Sequence, residues 1–196
     1  FSSLGTLIGI IVLCVFAAQT AQEYSLGTLR NLLVREPRRY VVLIGKFAAM
    51  KIFALALVLI NAAISIGISF YLSDRAKVST DMWFTSDGRS AILHTIINAY
   101  IAVIFFGIVG MTMGIIMKSP ISAISISVLW FLIIENLIIA VKSVTAEWMP
   151  GSQFQTIASG GAETISYSHA LSVAAIFILI LLATAFTLFS QRDVAN

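Results

Sequence analysis

One acidic side chain stands deep inside an apolar run of the sequence, at Glu135 in the stretch Ile133-Ile134-Glu135-Asn136-Leu137. An unpaired carboxylate in hydrocarbon costs roughly 3 kcal/mol on insertion scales. Glu135 should therefore face a cavity or a partner, or stay protonated. One interpretation is a substrate pathway in which Glu135, with Asn136 and Asn98, meets substrate cations or a proton. The other is a structural hydrogen bond between helices, made with Asn98 or with a facing subunit.

The sequence offers no set of residues for catalysis or metal binding. Its two histidines, His94 and His169, and its one cysteine, Cys14, lack metal-ligand spacing. Neither Gly-x-Ser-Gly nor His-Glu-x-x-His occurs. Gly45-Lys46 is not a phosphate-binding loop, because position 40 is Tyr where the first glycine would stand. We therefore predict no catalytic residue, no metal and no cofactor held by this chain itself.

The elements that must carry Glu135 are membrane-spanning helices. Apolar residues make up 59% of the 196 residues and charged residues 11%, against about 25% charged in soluble domains. Five segments reach the length that a helical span needs, about 20 apolar residues. They are Phe1–Ala18, Tyr40–Leu72, Ile92–Met117, Ile121–Val141 and Ala170–Phe189. Ile121–Ser127 alternates as a barrel strand would, but the apolar run continues well beyond it without alternation. The sequence therefore predicts an all-α, polytopic membrane protein.

Basic residues are concentrated on one side of these spans. Eight of the twelve lie in segments that would share one face of the membrane. They are Arg30, Arg35, Arg38, Arg39, Lys46, Lys51, Lys118 and Arg192. By the positive-inside rule this side is cytoplasmic, which places the C-terminus in the cytoplasm. Because the first run starts at Phe1 without a preceding Met, we expect one further helix upstream, giving six spans in a cell (inner) membrane.

Residues 22–37 are too charged to cross a membrane and too regular for a loop. Leu26, Leu29 and Leu32 recur on one helical stripe, away from the charged side chains. Pro37 would end this helix and begin the next one. We predict a cytoplasmic amphipathic helix, which would be either an anchor on anionic lipid or a docking surface for a soluble partner.

Residues 144–168 would lie on the opposite, external side. Trp148-Met149-Pro150-Gly151 and Phe154 are too apolar for a solvated loop, yet the segment is too short and broken to span. We predict a re-entrant hairpin that dips into the outer leaflet, its backbone shielded by neighbouring helices. A loose loop with an interfacial tryptophan is the alternative.

The segment after the first span reads Glu23-Tyr24-Ser25-Leu26-Gly27-Thr28-Leu29-Arg30-Asn31-Leu32-Leu33, then Pro37-Arg38-Arg39 and Gly45-Lys46. This pattern resembles the region between the second and third helices of ABC-2 type transporter permeases. That family has a Glu, a Gly-Thr-Leu, a basic residue, a Leu pair, a Pro-x-Arg and a Gly-Lys there. The end of this chain, Phe189-Ser190-Gln191-Arg192-Asp193-Val194, is similar to the closing phenylalanine and Arg-Asp of the family.

The resemblance implies that residues 1–196 form one transmembrane permease domain that lacks the family's first helix. It assigns coupling to an ATPase to the residues that match the motif. They are Glu23, Tyr24, Gly27, Thr28, Leu29, Arg30, Pro37, Arg39 and Lys46. It also implies two cytoplasmic ABC ATPase subunits that bind ATP and Mg²⁺, a second permease copy or homologue, contact with membrane lipid, and no nucleic acid.

The activity that follows from the resemblance is export by alternating access. The substrate would be hydrophobic or amphipathic, such as a drug, a lipid or a peptide. Two other classes stay open on the residues alone. One is a proton-coupled secondary transporter that uses Glu135, and the other is a membrane anchor for an ATPase without transport.

Overall fold

The computed structural model describes residues 2–77 and 81–191, and all regular structure in these two ranges is helical. The α-helices are α1 (Ser2–Ser25), α2 (Thr28–Arg35), α3 (Arg39–Ala76), α4 (Ser86–Met117), α5 (Pro120–Leu129), α6 (Glu135–Val141), α7 (Pro150–Ser159) and α8 (Tyr167–Gln191). Short 3₁₀ turns cover Asp81–Phe84 and Ser143–Glu147, and a single π-helical turn, Trp130–Ile134, joins α5 to α6.

Five stretches of helix in the described residues are long and apolar enough to cross a membrane. They are Gly5–Ser25, Arg39–Ser73, Ser86–Met117, Pro120–Val141 and Tyr167–Ser190. These helices indicate a membrane-embedded protein and confirm the all-α prediction with its five spans. The barrel-strand alternative for Ile121–Ser127 is wrong, because these residues lie inside α5, which Pro120 opens at a position where its missing N–H costs nothing.

Helix α4 forms the axis of the bundle. The apolar window of α4 is 61% buried inside the chain, against 11–44% in the other four spans. Helix α1 packs along it because glycines let the two backbones approach each other. A Cβ at Gly114 of α4 would lie 2.8 Å from the carbonyl oxygen of Ala17, and one at Gly107 would lie 2.6 Å from the ring of Phe16.

Helix α7 is too short to span, yet it is packed into the bundle against α1, α4 and α8. Its Phe154 is completely buried. The Phe154 ring lies 5.0 Å from the ring centroid of Phe106 and 5.6 Å from that of Phe105, at angles typical of favourable aromatic pairs. Residues 150–159 are therefore a packed helix and not a loose loop.

The two ends of the helix bundle differ in charge, and we name them the basic end and the α7 end. The basic end is where α1, α4 and α8 end and α3 begins, and it carries Arg30, Arg35, Arg39 and Lys46. The opposite end, called the α7 end, is where α4 begins and where α6 is followed by α7. Exposed apolar side chains lie mainly on the spans between these ends, as expected for surfaces that contact lipid.

Candidate functional site

The connecting segment, residues 22–46, joins α1 to α3 at the basic end. The sequence predicts one helix over residues 22–37, and these bounds are wrong. Helix α1 continues to Ser25, and α2 begins only at Thr28. Gly27 makes the break with a φ of 68°, in the left-handed region that glycine adopts more easily than other residues. The motif glycine therefore separates two helices instead of lying within one.

Helix α2 rests on the bundle through a narrow leucine face. Leu29 is 1% exposed, and Leu33 packs against the same hydrophobic cluster. Leu26 and Leu32 are 65% and 41% exposed, so only part of the predicted leucine stripe is buried. The turn at Gly27 takes Leu26 out of the helix and away from that face. The polar side chains of α2 are exposed, namely Thr28, Arg30, Asn31 and Arg35.

Two motif residues that are far apart in sequence meet between α1 and α3. Lys46 of α3 forms an ion pair with Glu23 of α1. The two side chains are only 16% and 24% exposed, and they border a cavity of about 280 Å³ between α1 and α3. Partial burial reduces the screening that makes surface ion pairs weak. The pair therefore joins the end of the first span to the start of the second.

Arg39 links the connecting segment to the last helix. Its Nη1 donates to the carbonyl oxygens of Phe189 and Ser190, at 3.2 and 3.4 Å. Carbonyls in the last turn of a helix have no partner within the helix, and a basic side chain there also stabilises the negative end of the helix dipole. Pro37 precedes this contact and is exposed, and α3 begins two residues later than the predicted helix start.

The nine motif residues do not form a single cluster. Glu23 meets Lys46, Arg39 meets the end of α8, and Leu29 and Tyr24 pack against one hydrophobic cluster. Thr28, Arg30 and Pro37 lie on the exposed surface. The closing motif contributes Phe189, which is 4% exposed, while Arg192 and Asp193 lie outside the described residues.

Glu135 occupies a second polar site, near the α7 end. It is 2% exposed, and its Oε1 accepts a hydrogen bond of 2.8 Å from the backbone N–H of Ser152. The backbone of Gly151 lies against the same carboxylate, where its N–H also interacts with the charge. These groups belong to the first turn of α7, where backbone N–H groups have no partner within the helix and the helix dipole is positive. Glu135 thus caps α7 from a neighbouring helix.

The residues at the start of α7 fit this capping role. Pro150 is the first helical residue and has no N–H to satisfy, so the carboxylate has to meet only the next two donors. A Cβ at Gly151 would lie 2.8 Å from both carboxylate oxygens of Glu135. Glycine at position 151 therefore permits the backbone to approach the acid. The Ser152 hydroxyl lies within hydrogen-bond distance of two carbonyls, that of Met149 at 2.8 Å and that of Ala146, and its single proton shared with them fixes the turn before α7.

The asparagines predicted to share a pathway with Glu135 have other partners. Asn98 of α4 accepts a hydrogen bond of 2.9 Å from the Tyr167 hydroxyl of α8, so the predicted Glu135–Asn98 bond is wrong. Asn136 donates to the carbonyls of Phe131 and Leu132, each at 3.1 Å. Those carbonyls lie in the π turn, where the ordinary helical hydrogen-bond pattern is interrupted.

Glu135 lines a cavity that we call the acid pocket. Oε2 is buried and has no hydrogen-bond partner within the described part of the chain. The pocket measures about 140 Å³ and lies between α1, α4, the π turn with α6, and α7. Phe106 and Phe131 line it, and the exposed amide residues Asn136 and Gln155 also border it.

Sequence reasoning found Glu135 but missed Gly151, Ser152 and Tyr167. A signal for the first two was present in Met149-Pro150-Gly151-Ser152, since a proline at a first helical position marks a helix start. No group of three or more His, Cys, Asp or Glu side chains that could hold a metal occurs among the described residues.

The chain belongs to the family described as "Protein of unknown function (DUF2705)", whose family model matches residues 1–195. No curated protein and no solved structure matches the chain. Because the family description states no activity, the argument for function rests on the two sites described above.

Proposed function

We propose that this chain is the transmembrane permease subunit of an ATP-driven transporter of the ABC-2 type. The observation that carries the proposal is α2, a short charged helix held to the bundle by Leu29 while Arg30, Asn31 and Arg35 remain exposed. We favour a docking surface over a lipid anchor because Leu29 and Leu33 already pack against the bundle. The exposed side of α2 then carries four polar side chains beside Leu32 and Val34. A soluble ATPase would meet the polar face.

The contacts around α2 supply a way to transmit movement. A short turn joins α2 to α1, and the Glu23–Lys46 ion pair ties α1 to α3. Arg39 ties the start of α3 to the end of α8. A displacement of α2 would therefore act on three spans at once. Such rigid-body tilting of packed helices is a common route between two states of a protein.

In this proposal the basic end is cytoplasmic, by the distribution of lysine and arginine. The chain would lie in the cell (inner) membrane with the end of α8 in the cytoplasm. Two ATPase subunits would bind ATP and Mg²⁺ and hydrolyse the nucleotide. A second permease copy or a homologue would complete the pathway for a hydrophobic or amphipathic substrate, moved outward by alternating access.

Residues 144–168 would then form an external re-entrant hairpin. Its helix α7 is buried on the side that faces α4 and α8, and Glu135 holds the start of that helix. Non-helical backbone at membrane depth is tolerated where protein shields it, and the capped N–H groups of Gly151 and Ser152 meet that condition.

The proposal is tested by the ATP hydrolysis that accompanies the tagged chain when it is purified in mild detergent from cells of its own source. We expect Mg²⁺-dependent ATPase activity in the wild-type preparation. Charge reversal on α2, Arg30→Glu with Arg35→Glu, should lower the co-purifying activity about tenfold or more, because the docking surface then repels what it attracted.

A matched double reversal, Arg89→Glu with Lys142→Glu, alters two exposed basic residues of the α7 end. It should leave the co-purifying ATPase unchanged. Wild-type chain that carries no ATPase, or equal losses in both double variants, would refute the docking function. ATPase association without any ATP-dependent substrate flux in proteoliposomes would identify an anchor, and flux driven by a proton gradient alone would identify a secondary transporter.

A further inference from the structure

We propose that the acid pocket binds a primary ammonium group carried on an apolar chain. The starting point is Oε2 of Glu135, a carboxylate oxygen in a residue that is 98% buried, without a hydrogen-bond partner in the described residues. A buried acceptor of this kind is unfavourable unless a donor reaches it. Because Glu135 lines the acid pocket, the pocket is where that donor would lie.

The charge of the site favours a cation over a neutral donor. The two backbone N–H groups of α7 provide only the partial positive charge of a helix start, about half an elementary charge. A carboxylate bears a full negative charge, so a negative excess remains in a medium that solvates ions poorly. A monovalent cation that donates to Oε2 would remove the excess and satisfy the unpaired oxygen together.

The geometry selects an ammonium among the possible cations. Guanidinium groups bind carboxylates best through both oxygens at once, and Oε1 is already occupied by Ser152. An ammonium is a compact charge with three N–H donors and needs only one carboxylate oxygen. Its other donors have acceptors nearby in the side-chain amide oxygens of Asn136 and Gln155, which border the same pocket. A metal ion would find only one carboxylate, that of Glu135, and the side-chain amides of Asn136 and Gln155 as ligands in this pocket.

The walls define what carries the ammonium. The ring centroids of Phe106 and Phe131 lie 5.1 Å apart, and both residues line the pocket. Aromatic surface of this kind suits both a cation and an alkyl chain. About 140 Å³ accommodates a head group and a few carbons, whereas a whole lipid or peptide is far larger. The remainder of the molecule would extend past Asn136 and Gln155, the exposed residues of the border, toward the membrane.

This inference deepens the proposed function, and rests on it only for the statement that the bound amphiphile is transported. Two sources share the chemistry: an aminophospholipid of the surrounding membrane, or a cationic amphiphile that arrives from the water. Binding to the chain alone, with no ATPase present, tests the site. A failure here and a failure of ATPase docking are therefore separate results.

The experiment measures equilibrium binding of radiolabelled dodecylammonium to the purified chain in phosphatidylcholine nanodiscs, with empty nanodiscs subtracted. We expect saturable binding of one ligand per chain. Dodecyltrimethylammonium has the same charge and the same alkyl chain but no N–H donor. Its affinity should therefore be lower by about tenfold or more. This comparison uses wild-type protein, so it holds even if a variant fails to fold. Equal affinity for the two ligands, or no saturable binding, would overturn the proposal.

A variant then locates the site. Glu135→Gln keeps an acceptor for the N–H of Ser152 but removes the charge, and it should weaken dodecylammonium binding about tenfold or more. The control, Glu147→Gln, makes the same change at an exposed acid of the α7 end and should bind as the wild type does. Unchanged affinity in a folded Glu135→Gln variant would contradict the assignment.

The last arm separates the two sources. Nanodiscs that contain phosphatidylethanolamine present a primary ammonium in the bilayer, whereas phosphatidylcholine presents none. If the added lipid competes with dodecylammonium in the wild type, the site takes a lipid head group. If binding is the same in both bilayers, the amine comes from the aqueous side. Either result, once the earlier arms hold, supports the ammonium site and names its source.

Discussion

The connecting segment at the basic end and the Glu135 site near the α7 end solve the same problem in opposite ways. Each must hold a short helix, α2 or α7, against long spans. At the basic end Leu29 and Leu33 hold α2 to the bundle, and its charges stay exposed. The spans beside α2 are tied by side chains, Glu23 to Lys46 and Arg39 to the carbonyls of α8. Near the α7 end the tie is a buried carboxylate bound to backbone N–H groups, and α7 is itself largely buried.

The difference indicates which region is built to move. The ties at the basic end are made by side chains, which can change rotamer and exchange partners, so the basic end is the one that can rearrange. Losing the buried acceptor leaves the N–H groups at the start of α7 without their protein partner. The α7 end should therefore behave as a rigid support, and the basic end as the responsive one.

The largest effect should come from removing the acceptor near the α7 end. Glu135→Leu leaves the N–H groups of Gly151 and Ser152 without their partner. At about 1–3 kcal/mol for each unsatisfied donor, the free energy of unfolding should fall by roughly 3 kcal/mol. The measurement is reversible unfolding of the purified chain in mixed micelles with increasing denaturing detergent.

Two matched variants sharpen that test. Glu135→Gln retains an oxygen for the Ser152 N–H and should lose less than about 1 kcal/mol. Glu147→Leu makes the same substitution at an exposed residue and should stay within about 0.5 kcal/mol of wild type. If Glu135→Leu were no less stable than Glu147→Leu, α7 would not depend on the buried carboxylate, and the contrast between the two ends would fail.

A smaller effect is expected from the ion pair at the basic end. Glu23→Gln and Lys46→Gln each leave a partly buried charge alone, and each should lower the free energy of unfolding by about 1 kcal/mol. The exchanged pair, Glu23→Lys with Lys46→Glu, should recover more than half of that loss in the same unfolding assay. Recovery would identify an interaction between the two residues, which single substitutions cannot do.

The control for this pair is the neighbouring contact between Arg38 and Glu36. Their side chains are 67% and 39% exposed and lie 3.4 Å apart. Arg38→Gln should change the free energy of unfolding by less than about 0.5 kcal/mol, because an exposed pair is screened by water and salt. An exchanged Glu23–Lys46 pair that is no more stable than either single variant would show that the two charges do not depend on each other.

Much of the fold could be predicted because composition and length determine it. Runs of about 20 apolar residues have few structures available other than a spanning helix, since every backbone group must be satisfied internally. Apart from Phe1, which lies outside the described residues, the predicted spans therefore lie within α1, α3, α4, the α5–α6 helix and α8. The bounds of the connecting helix were wrong because leucine periodicity continues through Gly27, whereas the left-handed backbone there does not.

The candidate site could be predicted only in part, for a physical reason. The sequence identified Glu135 as a residue that needs a partner, because burying its charge is costly whatever the fold. It could not identify the partner, because the donors are backbone N–H groups of α7, and any residue except proline carries one. Asn98 was one predicted partner of Glu135 because its side-chain amide can donate a hydrogen bond. In the structure the Asn98 side chain bonds with Tyr167 instead. The Glu23–Lys46 contact likewise depends on how α1 and α3 pack.

The finest probe of the basic end is the turn before α2, where an asparagine should have the smallest effect of all these variants. Gly27 has a φ of 68° and no atom within 4 Å of the place where a Cβ would stand, so any cost of a side chain there comes from backbone conformation alone. Asparagine tolerates this region, and Gly27→Asn should lower the free energy of unfolding by no more than about 0.5 kcal/mol. Gly27→Val should lower the free energy of unfolding by about 1–2 kcal/mol, because a β-branched residue is strained at positive φ.

Gly45 in α3 is the reference for this test, since it also has open space around it but a helical backbone. Gly45→Ala should therefore raise the free energy of unfolding by about 0.5–1 kcal/mol. Equal stability of the Asn and Val variants in the unfolding assay would mean that the turn at Gly27 is not held at positive φ, and α2 would then be free to extend from α1.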